Sequence, residues 1–350
     1  MPFRASSKLI RTPTLIIAIC GGAASYGAYR WHSHPSETAH LNPTTFTPYT
    51  LVAKQPVSST SSIFTLRPPG GRSSPPRAAA AAEAPQSHSC IWSVQVKQPQ
   101  LQIARSYTPL PSHSSGSGNG DGDGDGGDIR LLIRREARGE VSGYLHRLPL
   151  RATLEVRGPA EELHVPEAVA DVLVLAGGTG IAPALQVADV LSRRSGARCT
   201  ILWASRRREE CVGGGRRVSQ GLVSGWRSLF GLEENVVAEE EEVCCADKGV
   251  IVQELEALKK KAEGRLQVKY FVDEEKTYIR PACIREHLKH SQSAQGVQEG
   301  GQKLILVSGP DGFIEHWAGK KVWVGGQEAQ GPLGGVLREL DLKDWRVWKL

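Results

Sequence analysis

The stretch of this chain most explicit about chemistry is Val172–Gln186, VLVLAGGTGIAPALQ. An unbroken apolar run, the pattern of a buried strand, ends in Gly177-Gly178-Thr179-Gly180, and a helix-forming segment follows past Pro183. Glycines at such a junction let a pyrophosphate approach backbone N–H groups at a helix N-terminus, where the dipole favours anions. The spacing is not the GxGxxG of the ordinary dinucleotide fingerprint, and GxxxxGK[ST] is absent. A second stretch, Arg105-Ser106-Tyr107-Thr108-Pro109-Leu110, sets Arg and Tyr two residues apart on one face of a strand. The planar guanidinium suits a diphosphate, the Tyr a ring system and Thr108 a ring heteroatom. A third, Gly139-Glu140-Val141-Ser142, opens a short helical stretch. It reads as a backbone N–H cradle or as a helix capped by Ser142. The fourth, Val307-Ser308-Gly309-Pro310-Asp311-Gly312-Phe313, is again an apolar strand running into Gly and Pro. Crevices at the carboxyl ends of parallel strands are where open α/β sheets take ligands.

In this order and spacing the four motifs resemble the ferredoxin–NADP reductase superfamily, most closely its NADH–cytochrome b5 reductase branch. The resemblance spans Phe46 to the C-terminus, apart from two insertions. It implies a β-barrel FAD-binding domain followed by an α/β parallel-sheet domain for NADH or NADPH. FAD is then expected against Arg105, Tyr107, Thr108, Pro109, Gly139, Val141, Ser142 and Thr179. The nicotinamide nucleotide is expected against Gly177, Gly178, Thr179, Gly180, Ile181 and Pro183, and against Ser308, Gly309, Pro310, Asp311 and Phe313. Hydride transfer between two bound cofactors needs no side-chain acid, base or nucleophile, so no catalytic residue is assigned and no metal is implied. The family places a Cys before this Gly-Pro, close to the hydride path; Ser308 stands there instead and predicts slower reduction of the flavin.

Other features are similar to a fungal mitochondrial flavoprotein family of cytochrome c import and haem attachment: VKQPQLQIARSYTPLP, SGPDGFI, QGPLGG and the character of the N-terminus. That resemblance implies an inner-membrane protein with its body in the intermembrane space. Its acceptor system would be a haem protein, or haem lyase with apocytochrome c. Two further readings stand beside it: an NADH–cytochrome b5 reductase of the outer membrane, and a flavin-binding scaffold with weak turnover.

Elements of the right kind flank these motifs. Short β-rich pieces separated by turn signals run from Tyr49 to Val156: Tyr49–Lys54, Ser62–Leu66, Ile91–Val96, Leu101–Ser106, Ile129–Arg134 and Ala152–Val156. They predict an antiparallel barrel over 46–168. From Val169 to residue 350, strands alternate with helices, the signature of βαβ units on a parallel sheet. Pro68–Ser89 and Ser112–Gly127, rich in Pro, Ala, Gly, Ser and Asp, read as low-complexity insertions. The DGDGDG run lacks the closing Glu and the flanking helices of a calcium loop. Trp345 and Trp348 could shield the flavin ring or pack against the last strand. Arg206, Arg207 and Arg208 could take a 2′-phosphate, but Glu209 and Glu210 follow at once, leaving the choice of nucleotide open.

The formal charge of +6 is concentrated early: Arg4, Lys8, Arg11 and Arg30 precede the first acid, Glu37. The rest is nearly balanced, which argues against a nucleic-acid partner. Residues 1–13 have the composition of a mitochondrial targeting segment. Thr14–Tyr29 is uncharged over sixteen residues, short for a spanning helix but flanked by interfacial aromatics. Residues 14–31 therefore read as a transmembrane anchor, with a cleaved targeting peptide and a buried helix as the alternatives and 32–45 as a linker. The seven cysteines contain no CxxC and no spacing suited to zinc, and the Cys244-Cys245 pair reads as incidental.

Overall fold

The computed structural model describes residues 41–69, 89–112, 127–215, 248–293, 301–342 and 344–350. The expected targeting segment (1–13) and anchor (14–31), most of both insertions and Cys244-Cys245 lie outside the described residues. Among the described residues, no helix is long and apolar enough to cross a membrane.

Residues 41–350 form one compact unit built on two sheets. The first is antiparallel: β1 (Thr47–Pro56), β2 (Ser61–Arg67), β3 (Cys90–Gln98), β4 (Ile103–Tyr107), β5 (Ile129–Arg134) and β6 (Thr153–His164) lie in the order β4-β3-β6-β1-β2-β5. The sheet curls until its ends approach. Pro109, just past β4, bridges Leu131 of β5, and the Leu110 N–H donates to the Arg130 carbonyl at 2.8 Å. The result is a half-barrel pinned at one point rather than a fully laddered barrel. Alternation along β1, β3 and β5 turns Leu51, Val94, Val96, Leu131 and Ile133 inward, around Phe64 and Leu66. Helix α1 (Glu140–Arg147) plugs one end with Val141 and Leu145.

β6 runs eight residues beyond the expected Val156. It pairs first with β1, Thr47–Thr50, and then with β3 as far as Cys90, so one long strand serves two neighbours. β4 begins later than expected because Pro99–Gln102 is spent in a turn, with Gln102 in the left-handed region at φ 56°.

The second sheet is parallel, in the order β13-β10-β7-β8-β9: β7 (Val169–Gly177), β8 (Arg198–Ser205), β9 (Leu266–Val272), β10 (Gln302–Ser308) and β13 (Trp345–Lys349). β7 is central and buried at all nine positions, which explains a sequence that is apolar except at Asp171. Helices α2 (Ile181–Ser192) and α3 (Val250–Lys261) cover one face. The other face is covered by α4 (Pro281–Ser293), α5 (Asp311–Ala318) and the single turn α6 (Gly335–Arg338). A small hairpin, β11 (Val322–Val324) and β12 (Gln327–Ala329), precedes α6.

The lobes are stitched by buried polar contacts. The Gln186 side chain of α2 accepts the Trp92 N–H at 3.0 Å and donates to the carbonyls of Trp92 at 3.2 Å and Pro109 at 2.8 Å. Arg130 of β5 pairs with Glu254 of α3, both side chains largely buried. At the opposite end of the parallel sheet from the glycine-rich turns, Asp171, the third residue of β7, is fully buried. It takes Arg198 at 2.8 Å and His287 at 3.4 Å. Trp345 packs edge-on against that His287, 5.6 Å between ring centroids, so it roots the last strand.

Candidate functional site: two adjoining cavities

The β7–α2 junction is shaped by what touches it. Gly178 adopts φ +54°, the left-handed region open to glycine. Gly178–Gly180 forms a single tight turn running directly into α2, and neither carries a side-chain cap, so no side chain competes with a ligand for the N–H groups of the turn. Trp203 of β8 donates its indole N–H to the Gly178 carbonyl at 3.0 Å and fixes the turn from the neighbouring strand.

A cavity of about 420 Å³ opens between the half-barrel and this turn. Its wall brings together Arg105, Tyr107, Gly139, Val141, Ser142, Thr179 and Pro310, residues drawn from β4, α1, the glycine-rich turn and the end of β10. Arg105 and Tyr107 sit opposite Val96 and Val94 in the β3–β4 ladder, two apart and therefore on one side of the strand. Burial pushes the Tyr107 hydroxyl up to about 12, so it stays a neutral phenol. Gly139 is the N-cap of α1 and supplies no side-chain cap. Ser142 is not the cap; it lies inside the helix, its hydroxyl accepting the Glu136 N–H at 3.2 Å and donating to the Gly139 carbonyl at 3.3 Å. A Cβ on Gly139 would collide with that hydroxyl and with Glu136 Cβ at 2.8 Å. The loop is thereby held closely enough to present bare N–H groups at a helix N-terminus, next to the exposed guanidinium of Arg105. Arg138 lines the same wall, a second exposed cation the motifs did not signal. An uncapped helix end, two guanidinium groups and a half-buried phenol ring fit the diphosphate and the ring of FAD.

Thr108 and Pro109 line neither cavity. Pro109 is buried, closing the half-barrel and accepting from Gln186.

The second cavity, about 530 Å³, lies over the carboxyl ends of the parallel strands. Gly177, Gly178, Pro310 and Phe313 line it, together with Ala204, Ser205, Arg206, Asp273 and Tyr278. The Phe313 ring lies on Gly177: a Cβ there would stand 2.8 Å from the ring. Gly180, Ile181, Pro183 and Ser308 are buried behind the wall, and Asp311 opens α5 exposed. Gly309 passes within 3.1 Å of Gly177, measured from an added Cβ. This is the crevice expected for a nucleotide at a sheet's carboxyl edge. Trp345 and Trp348 line neither cavity; both stand in β13 and take the packing role.

The Arg206–Glu210 run separates into individual tasks. Arg207 donates to Ser59 Oγ at 3.1 Å, and Glu209 accepts from the Ser59 hydroxyl at 2.6 Å and from its N–H at 3.0 Å, which together hold its carboxyl low. Arg208 binds Glu275 at 2.7 Å and the Gly214 carbonyl at 2.5 Å, and the bonded carboxylate holds its guanidinium still more firmly protonated. Glu210 pairs with Arg134, and burial pushes its carboxyl up. Arg206 alone faces the second cavity, with Asp273 on the same wall.

The family model for the oxidoreductase FAD-binding domain matches residues 88–164. The chain is 24% identical to the cytochrome c mitochondrial import factor CYC2 of Saccharomyces cerevisiae, over 94% of this chain and 89% of that protein. It is 28% identical to NADH-cytochrome b5 reductase 1 of Aspergillus oryzae, over 54% of this chain and 57% of that protein, so it spans little more than half of that relative. Among solved structures, full-length CYP116B46 from Tepidiphilus thermophilus superposes with a TM-score of 0.50 at 15% identity, covering 90% of this chain and 30% of that one. The chain carries an oxidoreductase FAD-binding domain and has the ferredoxin reductase-like fold.

Proposed function

We propose that this FAD-dependent NAD(P)H oxidoreductase is a mitochondrial enzyme that delivers electrons to a haem or cytochrome acceptor in cytochrome c maturation. One observation carries the reading. The cavity lined by the FAD motifs and the cavity lined by the nucleotide motifs adjoin, sharing Arg134 and Pro310 as walls. When bound, FAD supplies the conversion of hydride chemistry into single-electron delivery.

The chain's own part is alignment and shielding. Arg105 and the α1 N-terminus would hold the diphosphate, and Tyr107 would stack on a ring. Thr179 faces the first cavity while its neighbours Gly177 and Gly178 line the second, so one turn serves both ligands. Phe313 and Pro310 close the nucleotide side. Residues 46–168 are assigned to FAD and 169–350 to the nucleotide. The likeness to the yeast import factor, which extends over nearly the whole chain, supports the maturation role. Residues 1–13 would direct the chain to mitochondria and 14–31 anchor it in the inner membrane, with the body in the intermembrane space.

The purified full chain is expected to show flavin absorbance near about 450 nm and to bleach on mixing with NADH or NADPH. A colourless protein overturns the reading. A yellow one that neither nucleotide bleaches favours the scaffold. In intact mitochondria the body is expected to resist added protease until the outer membrane is ruptured. Digestion without rupture favours an outer-membrane cytochrome b5 reductase, the reading supported by the Aspergillus relative.

A further inference from the structure

Arg134 and Glu210 belong to different lobes. Arg134 ends β5 of the half-barrel, and Glu210 sits in the short turn Arg208–Cys211 that follows β8 of the parallel sheet. Their side chains pair while only 8% and 7% exposed. Among the described residues, Arg134 is the one charged group that lines both cavities. Its guanidinium covers the α-carbon of Gly178: a Cβ there would lie 3.2 Å and 3.3 Å from the two terminal nitrogens. Glu210 takes one of these nitrogens, and the buried Nε has no partner. A guanidinium carries five N–H donors in a fixed fork. Here one side of the fork is anchored by a carboxylate, and the rest lies against the glycine-rich turn at the seam of two ligand cavities.

A mere staple between the lobes would not need this place. The lobes are already joined by Gln186 to Trp92 and Pro109, and by Arg130 to Glu254, a buried pair that lines neither cavity. That second pair starts from the same strand, β5, and is a built-in control.

We propose that Glu210 is a positioning residue, holding the Arg134 guanidinium across the seam so that its remaining N–H donors meet the pyridine nucleotide lying over Gly178. The inference rests on the nucleotide reading of the second cavity. Glu210 never touches the ligand; it acts by fixing the azimuth of the fork. Without its charge, the buried guanidinium swings toward other acceptors, and the ordering that Glu210 now provides must be supplied when nucleotide binds.

The experiment uses the full chain with its flavin, in the oxidised state, titrated calorimetrically with NAD+ and NADP+. Glu210→Gln is expected to keep flavin absorbance and to weaken the tighter-binding nucleotide about tenfold, the scale of one charge-assisted hydrogen bond. Steady-state kinetics should show the loss in KM, with kcat changed by less than about threefold. Glu254→Gln is expected to lower the unfolding midpoint without moving the nucleotide Kd. Glu210→Asp, which keeps the charge on a shorter stem, should fall between wild type and Glu210→Gln, and it carries the test if Glu210→Gln does not fold. A Kd within twofold of wild type in the folded Glu210 variants overturns the role, as does an equal weakening in Glu254→Gln. Failure of the unaltered protein to bind either nucleotide overturns the cavity assignment, and this role with it.

Discussion

Gly180 lies against the backbone of Ser308. A Cβ on Gly180 would stand 2.6 Å from the Ser308 carbonyl carbon and 2.7 Å from the Gly309 nitrogen. Two motifs far apart in sequence, at the ends of β7 and β10, therefore meet backbone to backbone beside the second cavity. Gly180 has φ −61°, which any residue adopts, so contact alone excludes a side chain. Gly180→Ala is expected to cost about 1–3 kcal/mol by overpacking and to weaken nucleotide binding at least about tenfold as the β10 turn is pushed outward. Thermal unfolding and nucleotide titration of the same sample check both.

Ser308 itself is buried, 3% exposed, with Pro310, two residues on, at the rim of the crevice. A sulfhydryl in place of the hydroxyl adds little volume at a site that already excludes water. Ser308→Cys is expected to raise the rate of flavin reduction by NAD(P)H several-fold and to change stability by less than about 1 kcal/mol. Stopped-flow absorbance reads the rate; an unchanged rate means that this position does not limit turnover.

The β7–turn–α2 unit was legible in the sequence because burial on both faces leaves Val172–Ala176 wholly apolar, and glycines follow at once. The half-barrel strands were legible from their turn punctuation, although β6 was cut short: pairing with two neighbours is a tertiary fact with no local signature. Trp203 was hidden because its indole reaches the Gly178 carbonyl 25 positions away. Arg134 and Glu210 were hidden more deeply. They are 76 residues apart and in different lobes. In sequence Glu210 reads only as an acid that offsets three arginines, whereas in the fold Arg207 and Glu209 meet at Ser59, Arg208 pairs with Glu275, and Glu210 pairs with Arg134. Trp345 shows the reverse: a C-terminal aromatic that could have shielded a ring lies instead at the amino end of its strand.

Asp171 makes the parallel sheet sensitive to acid. Desolvation alone would raise its carboxyl, but the polar groups of His287, 3.4 Å away, and Ser291, together with the charge of Arg198, outweigh it, and the carboxyl is held below its ordinary value. A depressed carboxylate contributes stability that is fully present above the unfolded value, about 3.9, and is lost as pH falls through the folded one. Asp171→Asn is expected to cost about 3 kcal/mol at neutral pH, the low end for breaking a buried pair, because Arg198 keeps 35% of its side chain in water. The variant should also lose this part of the decline in stability below about pH 4. Denaturant unfolding from pH 3 to 7 measures both.

Arg206 and Asp273 share one wall of the second cavity with opposite charges, and on the proposed reading the choice between NADH and NADPH would fall to them. The neighbouring Arg207 and Arg208 are tied to Ser59, Glu275 and the Gly214 carbonyl, so neither is spare for a phosphate. A 2′-phosphate would gain from Arg206 and be opposed by Asp273; an unmodified ribose would use Asp273 as an acceptor and need no arginine. Arg206→Glu is therefore expected to lower kcat/KM for NADPH by at least about tenfold and for NADH by less than about threefold. Asp273→Asn should move the ratio the other way, toward NADPH. If both substitutions shift the two nucleotides equally, the wall does not face the ribose, and the adenosine half of the ligand lies elsewhere along the sheet's carboxyl edge.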